Sequence, residues 1–232
     1  MSYNKQNIII YIVFILIAFI GINFGNAIYE KYNNLRIWQF ENILMLAIGI
    51  PFLFFQTKAG IPNFIDEQVQ NKKRFLQPFL IGVVFGLLDV FVIKILQHPT
   101  PYTELPPFLQ PFPYSLFLYF SGAFEIEVFY RLIPMTTILV IGQWISKGKY
   151  FSYFLWTAIL LTSIREPLEQ MPSGSNWFIC YSLLTGFLMN YLQAIYYKNA
   201  GFLATLSIRL GHYLFWHILL GVYVQFIELN SF

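Results

Sequence analysis

The feature that most constrains this sequence is a succession of apolar runs, each close to the length of a membrane crossing. The hydrocarbon core of a bilayer is about 30 Å thick, so a crossing helix needs about 20 mostly apolar residues. Seven stretches approach that length: 8–27, 38–56, 75–97, 114–144, 150–164, 177–197 and 201–227. Because a backbone in lipid must satisfy its own hydrogen bonds, we expect an all-α polytopic membrane protein with about seven transmembrane helices.

The composition agrees with a lipid environment. Of the 232 residues, 57% are hydrophobic and 11% are charged, whereas about 25% are charged in an ordinary soluble domain. The net charge of +3 is spread over short loops, which gives no basic arm or tail for nucleic acid. The predicted partner is therefore the lipid bilayer. The single cysteine, Cys180, excludes an intrachain disulfide and a cysteine-based metal site.

The chain shows no internal repeat and no soluble segment, so we interpret residues 1–232 as one integral membrane domain. Accessory helices occupy 1–97, and the core occupies 114–228. Between them, residues 98–113 hold six of the twelve prolines. Since proline cannot occupy a helix interior without breaking it, this segment is predicted to be an extended or turn-rich loop.

Loop charges predict the orientation. Lysine and arginine are in excess on the cytoplasmic side of membrane proteins. An N-terminus inside the cell leaves two basic residues outside, Lys31 and Arg36, and places eight on the inner side: Lys5, Lys58, Lys72, Lys73, Arg74, Lys147, Lys149 and Lys198. We expect an integral protein of the cell membrane with a cytoplasmic N-terminus.

The fourth apolar run carries three charged residues, Glu125, Glu127 and Arg131. Each charge at the centre of a membrane helix costs about 2.5–3.5 kcal/mol, so these side chains need partners, a polar cavity or a function. Glu127 and Arg131 are four residues apart and share one helix face, whereas Glu125 points to the other side. We therefore expect Glu127 to lie with Arg131 at the polar centre.

A second polar face is predicted in the last run. Arg209, His212 and Tyr213 are spaced by three and four residues, which places them on one side of a helix. His217 lies about 140° round from His212, so the two imidazoles are not expected to share a metal ion. Because both polar faces must avoid lipid, they are expected to face each other.

The order of these residues resembles a family. The segment EVFYRL at 127–132, a basic turn, a further span and a late histidine are similar to the CPBP superfamily, the CAAX-processing and bacteriocin-processing intramembrane proteases. The first family motif, Glu-Glu-x-x-x-Arg, matches Glu127 and Arg131, with Ile126 in place of the first glutamate. The resemblance covers roughly residues 110–220.

The two later motifs match less completely. The second motif, Phe-x-x-x-His, corresponds to LTSIR at 161–165, where Arg165 replaces the histidine. The third, His-x-x-x-Asn/Asp, corresponds to HYLFW at 212–216, which keeps His212 and has Trp216 at the last position. The family's water-activating residue is the missing first glutamate, and Glu125 substitutes for it only if the helix is locally distorted.

The resemblance implies a CPBP-like helical core and a glutamate-type endopeptidase acting on a membrane-associated protein or peptide. A desolvated glutamate, Glu127 or else Glu125, would take a proton from water. His212 would stabilise the oxyanion or act as general acid, and Arg131 with Arg165 would hold the carboxylate. No cofactor and no metal are implied.

Two alternatives stay open at this point. The three departures at Ile126, Arg165 and Trp216 favour a catalytically inactive relative that binds or scaffolds a membrane partner. The polar pairs are also what helices use to fasten to each other, and Arg209 with Glu125 or Asp89 is such a pair. Asp89 and Glu41 are interpreted as structural. The residues Arg165, Glu166 and Glu169 are interpreted as a helix cap and a solvated turn.

Overall fold

A computed structural model describes residues 3–32 and 34–230. Within these ranges the chain is helical and contains no strand. The α-helices are α1 (Tyr3–Ile28), α2 (Phe40–Ala47), α3 (Ile50–Leu53), α4 (Gln77–Val90), α5 (Tyr114–Glu127), α6 (Ile133–Ser146), α7 (Phe151–Glu169), α8 (Asn176–Ala200), α9 (Phe202–Tyr213) and α10 (Leu220–Tyr223). Segments of π-helix adjoin several of them: Lys72–Leu76, Phe91–Gln97, Val128–Leu132, Leu214–Leu219 and Val224–Glu228. A short 3-10 turn, Tyr29–Lys31, follows α1.

The described residues contain four helical rods that are long and apolar enough to cross a membrane. They are Lys5–Lys31, Lys72–Gln97, Asn176–Ala200 and Phe202–Glu228, and they coincide with four of the predicted spans. The predicted span 38–56 contains a shorter apolar helix, Phe40–Leu53, which falls below the length of about 20 residues that a straight crossing needs. The other two predicted spans, 114–144 and 150–164, are also helical. The first carries three charged residues, whereas the second has none and lies in a helix that ends with Arg165, Glu166 and Glu169.

Helix α9 is the centre of the bundle. All nine positions from Gly201 to Arg209 are buried, although α9 is part of a rod long enough to cross a membrane. Helices α4, α5 and α8 pack round it. A fully surrounded helix has no lipid-facing side, so the polar residues on α9 are directed at protein on every side.

The fourth run forms one continuous rod from Tyr114 to Ser146 with the π segment Val128–Leu132 at its middle. A π turn closes its hydrogen bonds five residues apart, which changes the angular positions of the side chains that follow. Pro134 lies in the first turn of α6, directly after this segment. The rod therefore passes Pro134 through a widened turn and continues without a sharp interruption.

Helix α7, which contains nearly all of the predicted span 150–164, does not end before Pro167. The helix continues to Glu169 and contains Pro167 within its last turns. Pro167 packs against Gly186 of α8, and Glu166 is anchored to Arg209 of α9. These tertiary contacts hold the last turn helical although proline cannot donate a backbone hydrogen bond there.

The proline-rich segment 98–113 is irregular, in agreement with the prediction. It packs on a buried ion pair between the ends of two helical rods, Lys94 Nζ to Glu228 Oε1 at 2.8 Å, and Lys94 Nζ also donates to the carbonyl oxygen of Thr100 at 2.8 Å. Glu228 also accepts a hydrogen bond from the backbone N–H of Tyr102 at 2.9 Å. Burial, and then the Glu228 carboxylate, raise the pKa of the Tyr102 phenol.

Close packing of α4 on α9 depends on two glycines. A β-carbon at Gly82 would collide with the carbonyl oxygen of Ile208, and one at Gly211 would collide with that of Phe79. We expect Gly82→Ala and Gly211→Ala each to lower the free energy of unfolding by about 1–3 kcal/mol, because backbone must move apart to admit the methyl group.

Unfolding of the purified protein in detergent measures this effect, and Gly122→Ala on α5 is the control. No atom lies within 4 Å of a β-carbon at Gly122, so this variant should be neutral or gain about 0.5–1 kcal/mol from helix propensity. Equal destabilisation by all three substitutions would contradict the packing argument.

Candidate active site

Glu127 is fully buried at the centre of the bundle, and three donors from α8 and α9 surround its carboxylate. Arg209 Nε donates to Oε1 at 2.6 Å, and Gln193 Nε2 donates to the same oxygen at 2.6 Å. The hydroxyl of Thr205 donates to Oε2. The expectation that the polar faces of the fourth and last runs meet is confirmed by this contact between Glu127 and Arg209.

Arg209 joins Glu127 to a second carboxylate on α7. Its Nη1 and Nη2 atoms lie 2.7 and 2.6 Å from Oε1 and Oε2 of Glu166, which is the bidentate arrangement. Glu166 is 5% exposed and Arg209 is 1% exposed. The interpretation of Glu166 as part of a solvated turn is therefore wrong, since its side chain is directed into the bundle.

Arg131 is also fully buried, but it does not contact Glu127. Its guanidinium donates to the carbonyl oxygens of Tyr130, Thr162 and Asn190 and to the side chains of Asn190 and Gln193. Glu127 and Arg131 lie together at the polar centre, as predicted, but they are joined through Gln193 rather than by a direct ion pair. Gln193 Oε1 accepts from Arg131 Nη2 at 3.2 Å, and Gln193 Nε2 donates to Glu127 Oε1 at 2.6 Å.

The described residues therefore hold a neutral buried cluster of Glu127, Glu166, Arg131 and Arg209, in which two carboxylates balance two guanidiniums. Asn190, Gln193 and Thr205 supply further hydrogen bonds to it, and Arg131 Nε has no partner among the described residues. Hereafter this set is the central cluster. Sequence reasoning missed its amide members, although Asn190 and Gln193 are three residues apart within an apolar helix, which is a recognisable polar face.

His212 lies outside the central cluster and pairs with Asp89 of α4. His212 Nε2 is 2.7 Å from Asp89 Oδ2. The other oxygen of Asp89, Oδ1, accepts the hydroxyl of Tyr181 at 2.7 Å. A carboxylate only accepts, so the proton of the first contact is on Nε2. The interpretation of Asp89 as a structural residue agrees with these contacts, which join α4 to α8 and α9.

The other ring nitrogen of His212, Nδ1, is buried and has no hydrogen-bond partner in the ranges 3–32 and 34–230. His217 differs, because its Nδ1 donates to the carbonyl of Phe108 at 2.8 Å and its ring stacks on Tyr119 at 4.3 Å. Of the two imidazoles in the last helix, His212 is thus the one with a buried ring nitrogen that lacks a partner among the described residues.

A cavity of about 260 Å³ adjoins the Asp89–His212 pair, and we call it the polar cavity. Ser182, Thr185 and Asn190 of α8 form one wall, and Glu166 and Arg209 of the central cluster form another. Trp216 lies on the cavity where the family motif has an amide or an acid. The described residues hold no group of three His, Cys, Asp or Glu side chains suited to a metal ion.

Glu125 and Ile126 lie on the other side of α5, away from the polar cavity. Glu125 accepts a 3.4 Å hydrogen bond from the amide of Asn42. Both residues line a smaller cavity of about 130 Å³ together with Arg36 and His217. The sequence therefore leaves Glu125 separated from Glu127, and the π segment, which starts after Glu127, does not bring them together.

Arg165 is at the surface, with a side chain 48% exposed. It pairs with Glu169 at 2.8 Å, donates to the carbonyl of Phe129 at 3.2 Å and lies over the ring of Tyr130. Hydrogen bonds from Tyr130 and then from Arg165 lower the pKa of the Glu169 carboxyl. The predicted role of Arg165 in holding the Glu127 carboxylate is not supported by these contacts.

The buried central cluster and the exposed Arg165–Glu169 pair are expected to contribute very differently to the free energy of unfolding. Removing one partner of a buried ion pair leaves an uncompensated charge, so Arg209→Met should lower the free energy of unfolding by about 3–5 kcal/mol. Arg165→Met removes an exposed pair that water screens, and it should lower the free energy of unfolding far less. Unfolding in detergent compares the two, and similar losses would show that the central cluster is not a stabilising feature.

Comparisons with known proteins leave the site to be interpreted from its own chemistry. No family model matches the chain, and no curated protein or solved structure matches it. Two chemical features stand out: a carboxylate at Glu127 that is saturated with donors, and an imidazole at His212 that is oriented by a carboxylate and retains a free nitrogen.

Proposed function

We propose that this membrane protein belongs to the CPBP-like group and binds the polar part of a membrane-associated protein or peptide in the polar cavity. Glu127 then serves to hold the bundle together rather than to activate water. The observation that carries this proposal is the engagement of both oxygens of the fully buried Glu127 carboxylate by Arg209, Gln193 and Thr205.

A general base needs a free lone pair within hydrogen-bond reach of the water that it deprotonates. In Glu127 one oxygen receives two N–H donors and the other receives the Thr205 hydroxyl, and the side chain is fully buried. Water would have to enter a site without solvent contact by separating these partners. Such an opening would expose a buried charge, which favours a structural role.

The size of the polar cavity limits what it can receive. Its volume of about 260 Å³ equals that of roughly eight or nine water molecules in the liquid, at about 30 Å³ each. A short peptide segment, a chain terminus or a lipid head group fits in this space, whereas a folded domain does not. The partner must therefore present a small polar group at the depth of the cavity.

The position of the cavity indicates the side from which the partner comes. Asp89, Gln170 and Trp216 lie toward the C-terminal ends of their helical rods, and Ser182 lies near the start of α8. With about seven spans in the cell membrane and a cytoplasmic N-terminus, as the loop charges favour, these ends are on the outer side. We propose that the partner reaches the cavity from the outer leaflet or the extracytoplasmic surface.

Glutamate-type endopeptidase activity is the second candidate, and Glu125 favours it. This carboxylate lines the smaller cavity with His217, and its one side-chain hydrogen bond among the described residues is the 3.4 Å contact to Asn42. It is thus freer than Glu127 to accept a proton from water. Hydrolysis on this side of α5 would use Glu125 as the base.

Substitution of Glu125 tests this candidate. If binding at the polar cavity is the function, Glu125→Gln should leave the peptides of the host membrane unchanged, as measured by mass spectrometry at equal protein abundance. Loss of specific peptides in Glu125→Gln would instead support the endopeptidase. Glu41→Gln, which removes another carboxylate from an apolar run, is the matched control.

Photo-crosslinking tests binding at the polar cavity. Ser182 lines the cavity, whereas Leu184, two residues along the same helix, is 59% exposed on the outside. A photoreactive residue at Ser182 should capture a discrete protein or peptide in native membranes. The same residue at Leu184 should give lipid adducts, and identical products from both positions would contradict a partner in the cavity.

A further inference from the structure

We propose that the polar cavity binds a primary ammonium group of a membrane-associated protein or peptide, with the carboxylate of Asp89 as its counter-ion. The group is either the N-terminus of that partner or the end of a lysine side chain, which share this chemistry. The inference rests on the proposed binding function, and it names the part of the partner that enters the cavity.

Asp89 is a carboxylate that a ligand in the cavity can reach. It lines the cavity, and its side chain is 26% exposed, whereas that of His212 is 9% exposed. One oxygen of Asp89 accepts from His212 Nε2 and the other from the Tyr181 hydroxyl, each at 2.7 Å. An ionised carboxylate has about four lone-pair sites, so Asp89 can accept further hydrogen bonds after these two.

No lysine or arginine forms an ion pair with Asp89 in the part of the chain that the structure describes. Lys94, farther along the same rod, is paired with Glu228 at 2.8 Å. Arg209 belongs to the central cluster, in which two guanidiniums already balance two carboxylates. The charge of Asp89 is therefore left over, and such a charge inside a membrane protein needs a partner or a function.

The two imidazoles that line the cavity do not cancel this charge. Nε2 of His212 donates to Asp89, so a second proton would go on Nδ1, which is buried and unpartnered among the described residues. The ion pairs within 3–32 and 34–230 include none at His217. Because a buried cationic N–H without a partner costs more than a neutral one, the contacts favour neutral imidazoles. The cavity then has one net negative charge.

The cavity offers acceptors rather than cationic donors to a ligand. Among the described lysines and arginines only Arg209 lines it, and all three guanidinium nitrogens of Arg209 donate within the central cluster. The Thr185 hydroxyl donates to the carbonyl oxygen of Tyr181 at 2.8 Å, so its oxygen can only accept from a ligand. A phosphate or a free carboxylate would meet the charge of Asp89 without a cation to bind it, and would be repelled.

The geometry at Asp89 suits an ammonium better than a guanidinium. Arginine binds a carboxylate best through two parallel hydrogen bonds, one to each oxygen, but both oxygens of Asp89 already accept one donor. An ammonium is a compact charge with three rotatable donors, so it needs only one of these oxygens. Its other N–H groups can bond to acceptors on α8, where Thr185 lies one turn from Tyr181. Trp216 also lines the cavity, and aromatic rings attract cations.

The test uses the purified full chain in nanodiscs of phosphatidylcholine, a lipid without a primary amine. The probe is a radiolabelled tetrapeptide with a free N-terminus, one lysine and a C-terminal dodecyl amide that anchors it in lipid. A doubly blocked form, N-acetylated and with norleucine in place of lysine, has no ammonium and should bind about 30-fold more weakly or less. Equal binding of the two forms, or no binding of either above that of empty nanodiscs, would overturn the proposal.

Two singly blocked peptides identify the source of the ammonium. The N-acetylated peptide keeps only the lysine, and the norleucine peptide keeps only the N-terminus. At least one of them should bind as tightly as the unblocked peptide, and loss of affinity in both would overturn a site for a single ammonium. Phosphatidylethanolamine, whose head group is also a primary ammonium, should not compete when it is added to the nanodiscs. Displacement of the peptide by this lipid would overturn the assignment to a protein or peptide.

Substitutions in the protein locate the site. Asp89→Asn removes the charge at nearly constant volume and should weaken binding of the unblocked peptide about 30-fold or more. Because Asp89 also joins α4 to α8 and α9, Thr185→Val is a second variant that keeps those contacts, and it should weaken binding about 2- to 10-fold. Glu41→Gln is the matched control, since it removes one negative charge from an exposed position on α2 and should keep the parental affinity. Parental affinity in both cavity variants would overturn the proposal.

Photo-crosslinking separates failure of this inference from failure of the binding function. Capture of a protein or peptide at Ser182 in native membranes that is lost in Asp89→Asn supports both. Equal capture in Asp89→Asn and in the parent would keep the binding function and overturn the ammonium site. Ammonium-dependent binding of the peptide in nanodiscs without capture at Ser182 would overturn the partner in native membranes and leave the ammonium site in place.

Discussion

The structure depends on the contact of Arg209 with two buried carboxylates. Its guanidinium bridges Glu127 of α5 and Glu166 of α7 at 2.6–2.7 Å, with all three side chains removed from solvent. Charges in a membrane protein are costly unless each is paired and fully hydrogen-bonded. Most of these hydrogen bonds are supplied here by Gln193, Thr205 and Asn190 together with Arg131. Helices that approach in any other register would leave a charge unpaired, so the central cluster specifies how α5, α7, α8 and α9 assemble.

The same register determines the geometry of the Asp89–His212 pair. Three residues separate Arg209 from His212 on α9, so the two side chains leave the helix on adjacent sides. Arg209 is directed to α5 and α7, while His212 reaches Asp89 on α4. The glycines Gly82 and Gly211 let α4 approach closely enough for this contact. Packing of small residues, which drives helix association in lipid, and the orientation of the imidazole are thus coupled.

The residues that resemble the CPBP motifs divide into two structural groups. Glu127 and Arg131 lie in the central cluster, and their donors and acceptors are used within it. His212 lies on the polar cavity with Asp89, a residue outside the resemblance. Arg165 is at the surface. The proposed assignment of binding to the cavity, and of stability to the glutamate, follows from this division.

The sequence by itself determined the helical class and the membrane environment, because an apolar run of membrane length is recognisable from adjacent residues alone. It also determined that the polar faces around Glu127 and Arg209 meet. Charged side chains are costly in lipid, and two such helix faces avoid lipid most simply by packing against each other. Only the tertiary structure decided the partners. Gln193 of α8 joined Glu127 to Arg131, the contact with Arg209 placed Glu166 inside the bundle, and the packing of α4 on α9 brought Asp89 to a histidine 123 residues away. Helical periodicity gives the direction of a side chain on its own helix, but which helix lies opposite is fixed by packing between segments far apart in the chain.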